Sequence, residues 1–254
     1  MPTSTTTEAL PSSPASAFAT ALLGEFVGQG LTDLVLSPGS RSQALALAAA
    51  QFERAGLLRL RVRVDERSAG FLALGLAVET GRPVLLVVTS GTAVAELHPA
   101  VLEAAHSGVP LIVLSADRPG ELRGIGSNQT TVQQGIFGSA AEKSWDVPAP
   151  VGGAEQAAEE QAARELAAEV LAAIDGPRHV NLAFREPLSS PQLLPDVSPG
   201  AWRPAAAPVE VLELRPSPGT VVIAGTGAGA EAEAAARALG APLLAEVASG
   251  ARFG

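Results

Sequence analysis

Short apolar runs alternate along the chain with longer segments whose apolar residues recur at helical spacing. Continuous apolar runs, and one run apolar at every second position, predict strands at residues 34–36, 58–64, 83–89, 110–115 and 179–184. Helical spacing predicts helices at residues 16–27, 45–52, 66–77, 94–106 and 155–174. Ser16 is the predicted N-cap of the first helix. Regular alternation of strand and helix predicts an α/β fold with a doubly wound parallel sheet.

The same pattern divides the chain into four parts. Residues 1–14 are rich in Ser, Thr and Pro and are expected to form a disordered tail, whereas residues 15–186 hold the predicted sheet. Residues 187–219 contain eight prolines and little periodicity, which predicts an interdomain linker. Residues 220–254 begin a second strand–helix–strand unit and stop before its third element, so we expect the chain to be a fragment.

Composition and charge narrow the function classes. A net charge of -9 argues against nucleic acid or an anionic membrane as a partner. The absence of cysteine excludes disulfides and thiolate chemistry, and the three histidines share no metal-ligand spacing, so no metal site is predicted within the chain. The first residues do not resemble a signal peptide and no apolar run reaches transmembrane length. These features predict a cytoplasmic protein.

Polar turns and loops follow the carboxyl ends of successive predicted strands, the edge at which open α/β sheets bind ligands. Residues 37–42 (Ser-Pro-Gly-Ser-Arg-Ser) combine backbone amides with a guanidinium, which suits a carboxylate or a phosphate. Residues 89–92 (Thr-Ser-Gly-Thr) form a similar polar turn between a predicted strand and a helix. The long loop 116–134 adds further arginines and side-chain amides. Each could be an ordinary capped turn or solvated surface, but their succession at one edge favours a binding site.

Glu66 lies where the strand at 58–64 gives way to an apolar helix. A carboxylate at that position could be desolvated enough to hold or pass a proton. The alternative is that Asp65 or Glu66 only caps the helix and complements its dipole. The pattern by itself leaves both interpretations open.

A glycine-rich turn at residues 225–230 follows a predicted strand and opens a helix, and Glu246 stands 21 positions after Gly225. This arrangement is typical of a dinucleotide fingerprint. Because its surroundings are also rich in Ala and Gly, we favour a glycine-rich turn without a nucleotide.

Five motifs in the same order resemble the family of 2-succinyl-5-enolpyruvyl-6-hydroxy-3-cyclohexene-1-carboxylate (SEPHCHC) synthases, thiamine diphosphate enzymes of menaquinone biosynthesis. They lie at residues 37–42, 65–76, 89–93, 116–123 and 128–137. The resemblance runs from about residue 16 to 185 and, more loosely, from 220 to the end. It implies that residues 15–186 are a pyrimidine-binding domain and that residues 220–254 begin a Rossmann-like central domain.

The resemblance also assigns roles to individual residues. It implies that Glu66 is catalytic and hydrogen-bonds the aminopyrimidine ring of the cofactor, exchanging a proton with a ring nitrogen. The other implied cofactor-binding residues are Pro38, Gly39, Thr89 and Ser90. The residues implied to surround the carboxylates and hydroxyls of the substrates are Ser40, Arg41, Arg118, Asn128 and Gln129.

The implied reaction decarboxylates 2-oxoglutarate and adds the succinyl unit to isochorismate. The family binds the diphosphate and Mg²⁺ or Mn²⁺ in a carboxyl-terminal domain that this sequence lacks, and its active site lies between subunits of a homodimer or a dimer of dimers. We therefore expect the chain alone to be inactive and to bind the cofactor poorly. Two alternatives stay open: the pyrimidine-domain part of another thiamine diphosphate 2-oxoacid decarboxylase, and a nucleotide-binding regulatory module.

Overall fold

The structure is a computed structural model that describes residues 13–203, 213, 215 and 217–253. The chain forms two compact units, Met1–Ala205 and Ala206–Gly254. Most of the predicted tail lies outside the described residues, as does the middle of the predicted linker. The proposed division into a tail, two domains and a linker stays a prediction.

The first unit contains a six-stranded parallel sheet in the described residues, with strand order β2-β1-β3-β4-β6-β5. Its strands are β1 Asp33–Leu36, β2 Arg59–Val62, β3 Val84–Val88, β4 Leu111–Asp117, β5 Lys143–Val147 and β6 Arg178–Ala183. The helices are α1 Pro14–Gly28, α2 Gln43–Arg54, α3 Glu66–Thr80, α4 Thr92–Ala95, α5 His98–Ser107 and α6 Gln156–Leu171. This architecture confirms the predicted doubly wound α/β fold.

Two hydrophobic cores cover the two faces of the sheet. Along β1, Leu34 and Leu36 join a core formed with α1, α2 and α6, whereas Val35 joins a core formed with α3, α4 and α5. Successive side chains of a strand point to opposite faces, so a strand covered by helices on both sides must be apolar throughout. This explains the continuous apolar runs of the sequence.

Two differences between the observed and the predicted helices have clear physical causes. Ser13, not Ser16, is the N-cap of α1, and its hydroxyl accepts a hydrogen bond from the Ser16 N–H at 3.3 Å. Pro14 follows at the first helical position, where its missing N–H costs nothing. The helix predicted at 94–106 is two helices, because Pro99 near the start of α5 cannot continue the hydrogen-bond ladder of α4.

The hydrophobic pattern did not predict β5, the edge strand that pairs only with β6 among the described strands. Lys143 and Ser144 are exposed, so the segment lacks a continuous apolar run. Trp145 and Val147 nevertheless alternate with polar residues and pack against the core. That two-residue alternation was the available signal.

The first part of the predicted linker packs on the first unit. Leu188 is buried, and the Gly200 N–H donates a hydrogen bond to the Val27 carbonyl at 3.3 Å. The second unit contains β7 Val222–Ala224, α7 Ala230–Leu239 and β8 Leu243–Ala245, with the two strands parallel. None of the helices described here is long and apolar enough to cross a membrane.

Candidate active site

The strand order reverses between β1 and β3, which pair side by side although β2 lies between them in sequence. The turns that follow these strands meet at this switch point, the position where open α/β sheets bind ligands. A Cβ at Gly39 would lie 2.5 Å from Cγ2 and 2.6 Å from Oγ1 of Thr89. Only glycine allows this approach, so the turns after β1 and β3 are in direct contact at the switch point.

Glu66 is the first residue of α3, beyond the end of β2. The adjacent Asp65 is the N-cap, and its carboxylate accepts a hydrogen bond from the Ser68 N–H at 2.7 Å. The half-buried carboxylate of Glu66 makes no hydrogen bond or ion pair with any residue that the structure describes. Asp65 therefore caps the helix, and the Glu66 carboxylate is free to meet a ligand.

Arg41 lies on the turn after β1, and its side chain is only 11% exposed. Its Nη1 donates to the Phe184 carbonyl at 3.0 Å, and its Nη2 lies 3.9 Å from the Glu186 carboxylate. Burial, followed by the positive charge of Arg118, lowers the pKa of Arg41. An anion bound near the two guanidiniums would offset both effects.

Arg118 links the long loop 116–134 to the turn after β3 by hydrogen bonds. Its Nη1 donates to Ser90 Oγ and, at 2.7 Å, to the Gln129 carbonyl. The Gln129 side chain donates to the Ser90 carbonyl at 3.0 Å. Gln129 has a φ of 54°, a left-handed conformation that is uncommon outside glycine and is often found at functional sites.

The remaining predicted site residues make fewer hydrogen bonds to each other. Pro38, Ser40 and Asn128 are exposed at the same sheet edge. The side chains of Ser40 and Asn128 make no hydrogen bond to another predicted site residue within the described part of the chain. Hydrogen bonds thus connect Ser90, Arg118 and Gln129, whereas the side chains of Glu66, Ser40 and Asn128 make no hydrogen bonds to these three residues in the described part of the chain.

A buried polar network behind the loop was missed by the sequence analysis. Ser115 Oγ lies 2.7 Å from His179 Nε2 and donates to Asn181 Oδ1 at 2.9 Å. Gln133 Nε2 donates to the same Asn181 oxygen at 2.8 Å, and Gln133 Oε1 accepts from the Gly91 N–H at 2.9 Å. Polar residues inside two apolar strands were the signal, because a buried polar side chain must find partners.

His179 is the titratable group at the base of this network. Burial lowers its pKa to about 4, although the charge of Asp146 opposes the shift. The imidazole is therefore neutral at pH 7. Its ring also contacts the edge of Phe137, with ring centroids 4.9 Å apart.

The comparisons with known proteins agree with this geometry. Residues 17–140 match the family model described as "Thiamine pyrophosphate enzyme, N-terminal TPP binding domain". A SEPHCHC synthase of Leifsonia xyli is 57% identical over 251 residues, which cover 95% of this chain and 42% of the relative. A SEPHCHC synthase of Clavibacter michiganensis is 49% identical over 275 residues, covering 98% of the chain and 46% of the relative. The chain thus spans less than half the length of these curated relatives.

The residues at the sheet edge fit a thiamine pyrophosphate (thiamine diphosphate) site. Glycine at position 39 lets the turns after β1 and β3 pack against each other at the switch point, and the unpaired Glu66 carboxylate is available to a nitrogen heterocycle. No group of three or more His, Asp or Glu side chains in the described residues could hold a metal ion.

The fold, the matched family model and the relatives all indicate the same family. The sheet and its switch point agree with the matched amino-terminal domain, and the relatives cover nearly the whole chain. The chain belongs to the SEPHCHC synthase family and corresponds to the thiamine pyrophosphate-binding amino-terminal part of its members.

Proposed function

We propose that this chain is part of a thiamine diphosphate-dependent synthase that decarboxylates 2-oxoglutarate and adds the succinyl unit to isochorismate, forming SEPHCHC for menaquinone. The structural observation that carries the proposal is a pair of guanidiniums, Arg41 and Arg118, at the same sheet edge as the unpaired Glu66 carboxylate. Both proposed substrates bear carboxylates, for which arginine is well suited. The relatives' name, SEPHCHC synthase, supports this choice of reaction.

Glu66 is the proposed catalytic residue. Thiamine diphosphate, when bound, supplies the carbanion chemistry needed to cleave a 2-oxoacid and transfer the remaining acyl group. Glu66 would hold a proton at a pyrimidine nitrogen of the cofactor and exchange it there. The capping role of Asp65 leaves Glu66 unpaired for this task.

The neighbouring residues have binding roles in this proposal. The two turns at the switch point, with Pro38, Gly39, Thr89 and Ser90, would bind the cofactor through backbone and hydroxyl groups. Arg41 and Arg118 would pair with substrate carboxylates. The polar side chains proposed to bind the remaining substrate oxygens are those of Ser40, Asn128 and Gln129.

The proposed enzyme is a homodimer or a dimer of dimers with its active site at the subunit interface. Exposed apolar side chains before and along α3, at Val64, Phe71 and Val78, support an interface at this helix. In this proposal Mg²⁺ or Mn²⁺ and the diphosphate would be held by the part of the relatives that this chain does not match, so the 254-residue chain alone would be inactive. The cytoplasmic location stays a prediction from the sequence.

The test follows isochorismate consumption by the complete gene product with thiamine diphosphate, Mg²⁺ and 2-oxoglutarate. We expect consumption to require every component, and Glu66→Gln to reduce turnover by about a hundred-fold to ten-thousand-fold, because the amide cannot exchange the proton. Near-normal turnover in the variant would remove Glu66 from catalysis. Release of carbon dioxide without isochorismate consumption would indicate another 2-oxoacid decarboxylase. Turnover by the 254-residue chain would refute its proposed inactivity.

A further inference from the structure

Arg123 is the centre of an ion-pair cluster on the loop that carries Arg118. Its Nη1 and Nη2 donate to the two carboxylate oxygens of Asp146 at 2.8 and 3.1 Å. Its Nη2 also lies 2.9 Å from Oδ2 of Asp117, whose side chain is only 2% exposed. The hydrogen bond to Asp146 raises the pKa of Arg123 despite partial burial. The planar guanidinium therefore bridges two carboxylates in a fixed orientation.

This cluster holds both backbone polar groups of Arg118. Asp117 Oδ1 accepts a hydrogen bond from the Arg118 N–H at 2.7 Å. Arg123 Nε donates to the Arg118 carbonyl at 2.9 Å. The Asp117–Arg123 pair thus fixes the backbone from which the Arg118 side chain extends toward Ser90 and Gln129.

The cluster is in turn attached to the interior of the sheet. The buried Asn181 side chain, on β6, donates to Asp117 Oδ2 at 2.9 Å and to Asp146 Oδ1 at 2.7 Å. Asp117 ends β4 and Asp146 lies on β5, so three adjacent strands carry the frame. Side chains on strands hold a site more precisely than side chains on loops alone.

We propose that Arg123 is a positioning residue for the reaction, which fixes Arg118 for its substrate carboxylate through Asp117 and Asp146. The inference rests on the proposed function, because it assumes that Arg118 binds a substrate. Arg123 is the link between the frame and the Arg118 carbonyl. Its loss would leave the Arg118 backbone held at the N–H alone.

A second ion pair on the same loop provides a matched control. Arg185 forms two hydrogen bonds to the carboxylate of Glu121, at 2.6 and 3.0 Å. This pair also ties the loop to residues after β6, but within the described residues it makes no hydrogen bond to Arg118. Arg185→Gln therefore removes the same charge and the same kind of bond without touching the frame.

The kinetic experiment compares Arg118→Ala, Arg123→Gln, Arg123→Lys and Arg185→Gln in the complete gene product. Arg118→Ala identifies the substrate, 2-oxoglutarate or isochorismate, whose KM depends on that guanidinium. We expect Arg123→Gln to raise the same KM by about 10- to 100-fold, since a misplacement of about 1 Å can cost about a hundred-fold. Thiamine diphosphate affinity should change less than this KM. Arg123→Lys should recover part of the loss, because it restores the charge but not the planar geometry.

Combining Arg118→Ala with Arg123→Gln separates positioning from a general structural effect. If Arg123 acts through Arg118, the double variant should have the KM of Arg118→Ala alone. Multiplication of the two effects would overturn the proposal, as would an equal effect of Arg185→Gln. Should Arg123→Gln fail to fold, Asp146→Asn weakens the same frame and gives the same test.

Crystal structures of the wild type and Arg123→Gln test the inference without an activity measurement. We expect the Arg118 guanidinium of the variant to leave Ser90 Oγ and the Gln129 carbonyl. An unchanged guanidinium position would overturn the proposal whatever reaction the enzyme performs. A displaced guanidinium in a protein that consumes neither substrate would support the positioning role and refute the proposed function instead.

Discussion

Replacing Gly39 with alanine tests the closest approach at the switch point. The added Cβ would lie 2.5 Å from Cγ2 and 2.6 Å from Oγ1 of Thr89, whereas non-bonded carbons prefer about 3.5–4.0 Å. Thr89 is buried and β-branched, so its side chain has little rotational freedom with which to move away. The two turns must therefore separate by about 1 Å.

This displacement should lower both the stability and the activity of the protein. Overpacking of this kind lowers the free energy of unfolding by about 1–3 kcal/mol, which urea titration of the 254-residue chain measures. Separation of the turns by about 1 Å should reduce turnover of the complete gene product by about a hundred-fold. Thiamine diphosphate affinity, measured by calorimetry, should fall together with turnover.

Two further variants control this experiment. A Cβ at Gly176 would meet nothing closer than Glu142 Cβ at 3.9 Å, so Gly176→Ala should leave turnover unchanged. Thr89→Gly removes the obstructing side chain, so combining it with Gly39→Ala should recover part of the stability lost to alanine. Unchanged stability and cofactor affinity in Gly39→Ala alone would refute the reasoning, because the two turns could then not be in contact.

Two stability predictions concern β6. Arg178→Met should lower the free energy of unfolding by about 3–5 kcal/mol in urea, because the buried guanidinium pairs with Glu142 and donates to four carbonyls at the end of α6. Arg185→Gln should cause no comparable loss, and equal losses would contradict this account. The pKa of His179 is lowered from 6.5 to about 4, so only the unfolded chain takes up its proton between these values. Stability should therefore fall by about 3 kcal/mol as pH drops through that window, and His179→Gln should remove this part of the pH dependence.

Most of the fold was predictable from hydrophobic periodicity. Strands buried on both faces, such as β3 and the first four residues of β4, form continuous apolar runs that are easily recognised in the sequence. The edge strand β5 has one partner strand and exposed polar residues, so only Trp145 and Val147 marked it. The division of residues 94–106 into two helices depended on a single proline whose effect periodicity does not record.

The sequence predicted which turns form the candidate site, but not which side chains in it bond to each other. The motifs indicated that residues after β1, β3 and β4 belong together, because parallel strands end at one edge. The pattern left open whether Asp65 or Glu66 caps the helix, although the preference of N-cap positions for Asp was a signal in favour of Asp65. Likewise, the pairing of Arg123 with Asp146 depends on β5 lying beside β6, which was not predicted.

The insertion of β6 between β4 and β5 has a consequence during synthesis. β4 is buried along its whole length and hydrogen-bonds to β6, yet 60 residues lie between Asp117 and Arg178. At about 5–20 residues per second, a ribosome needs about 3–12 s to make that interval. Throughout it, β4 presents an unpaired apolar edge, the kind of surface that pairs with other chains. The nascent protein is therefore most exposed to aggregation before its sixth strand has been made.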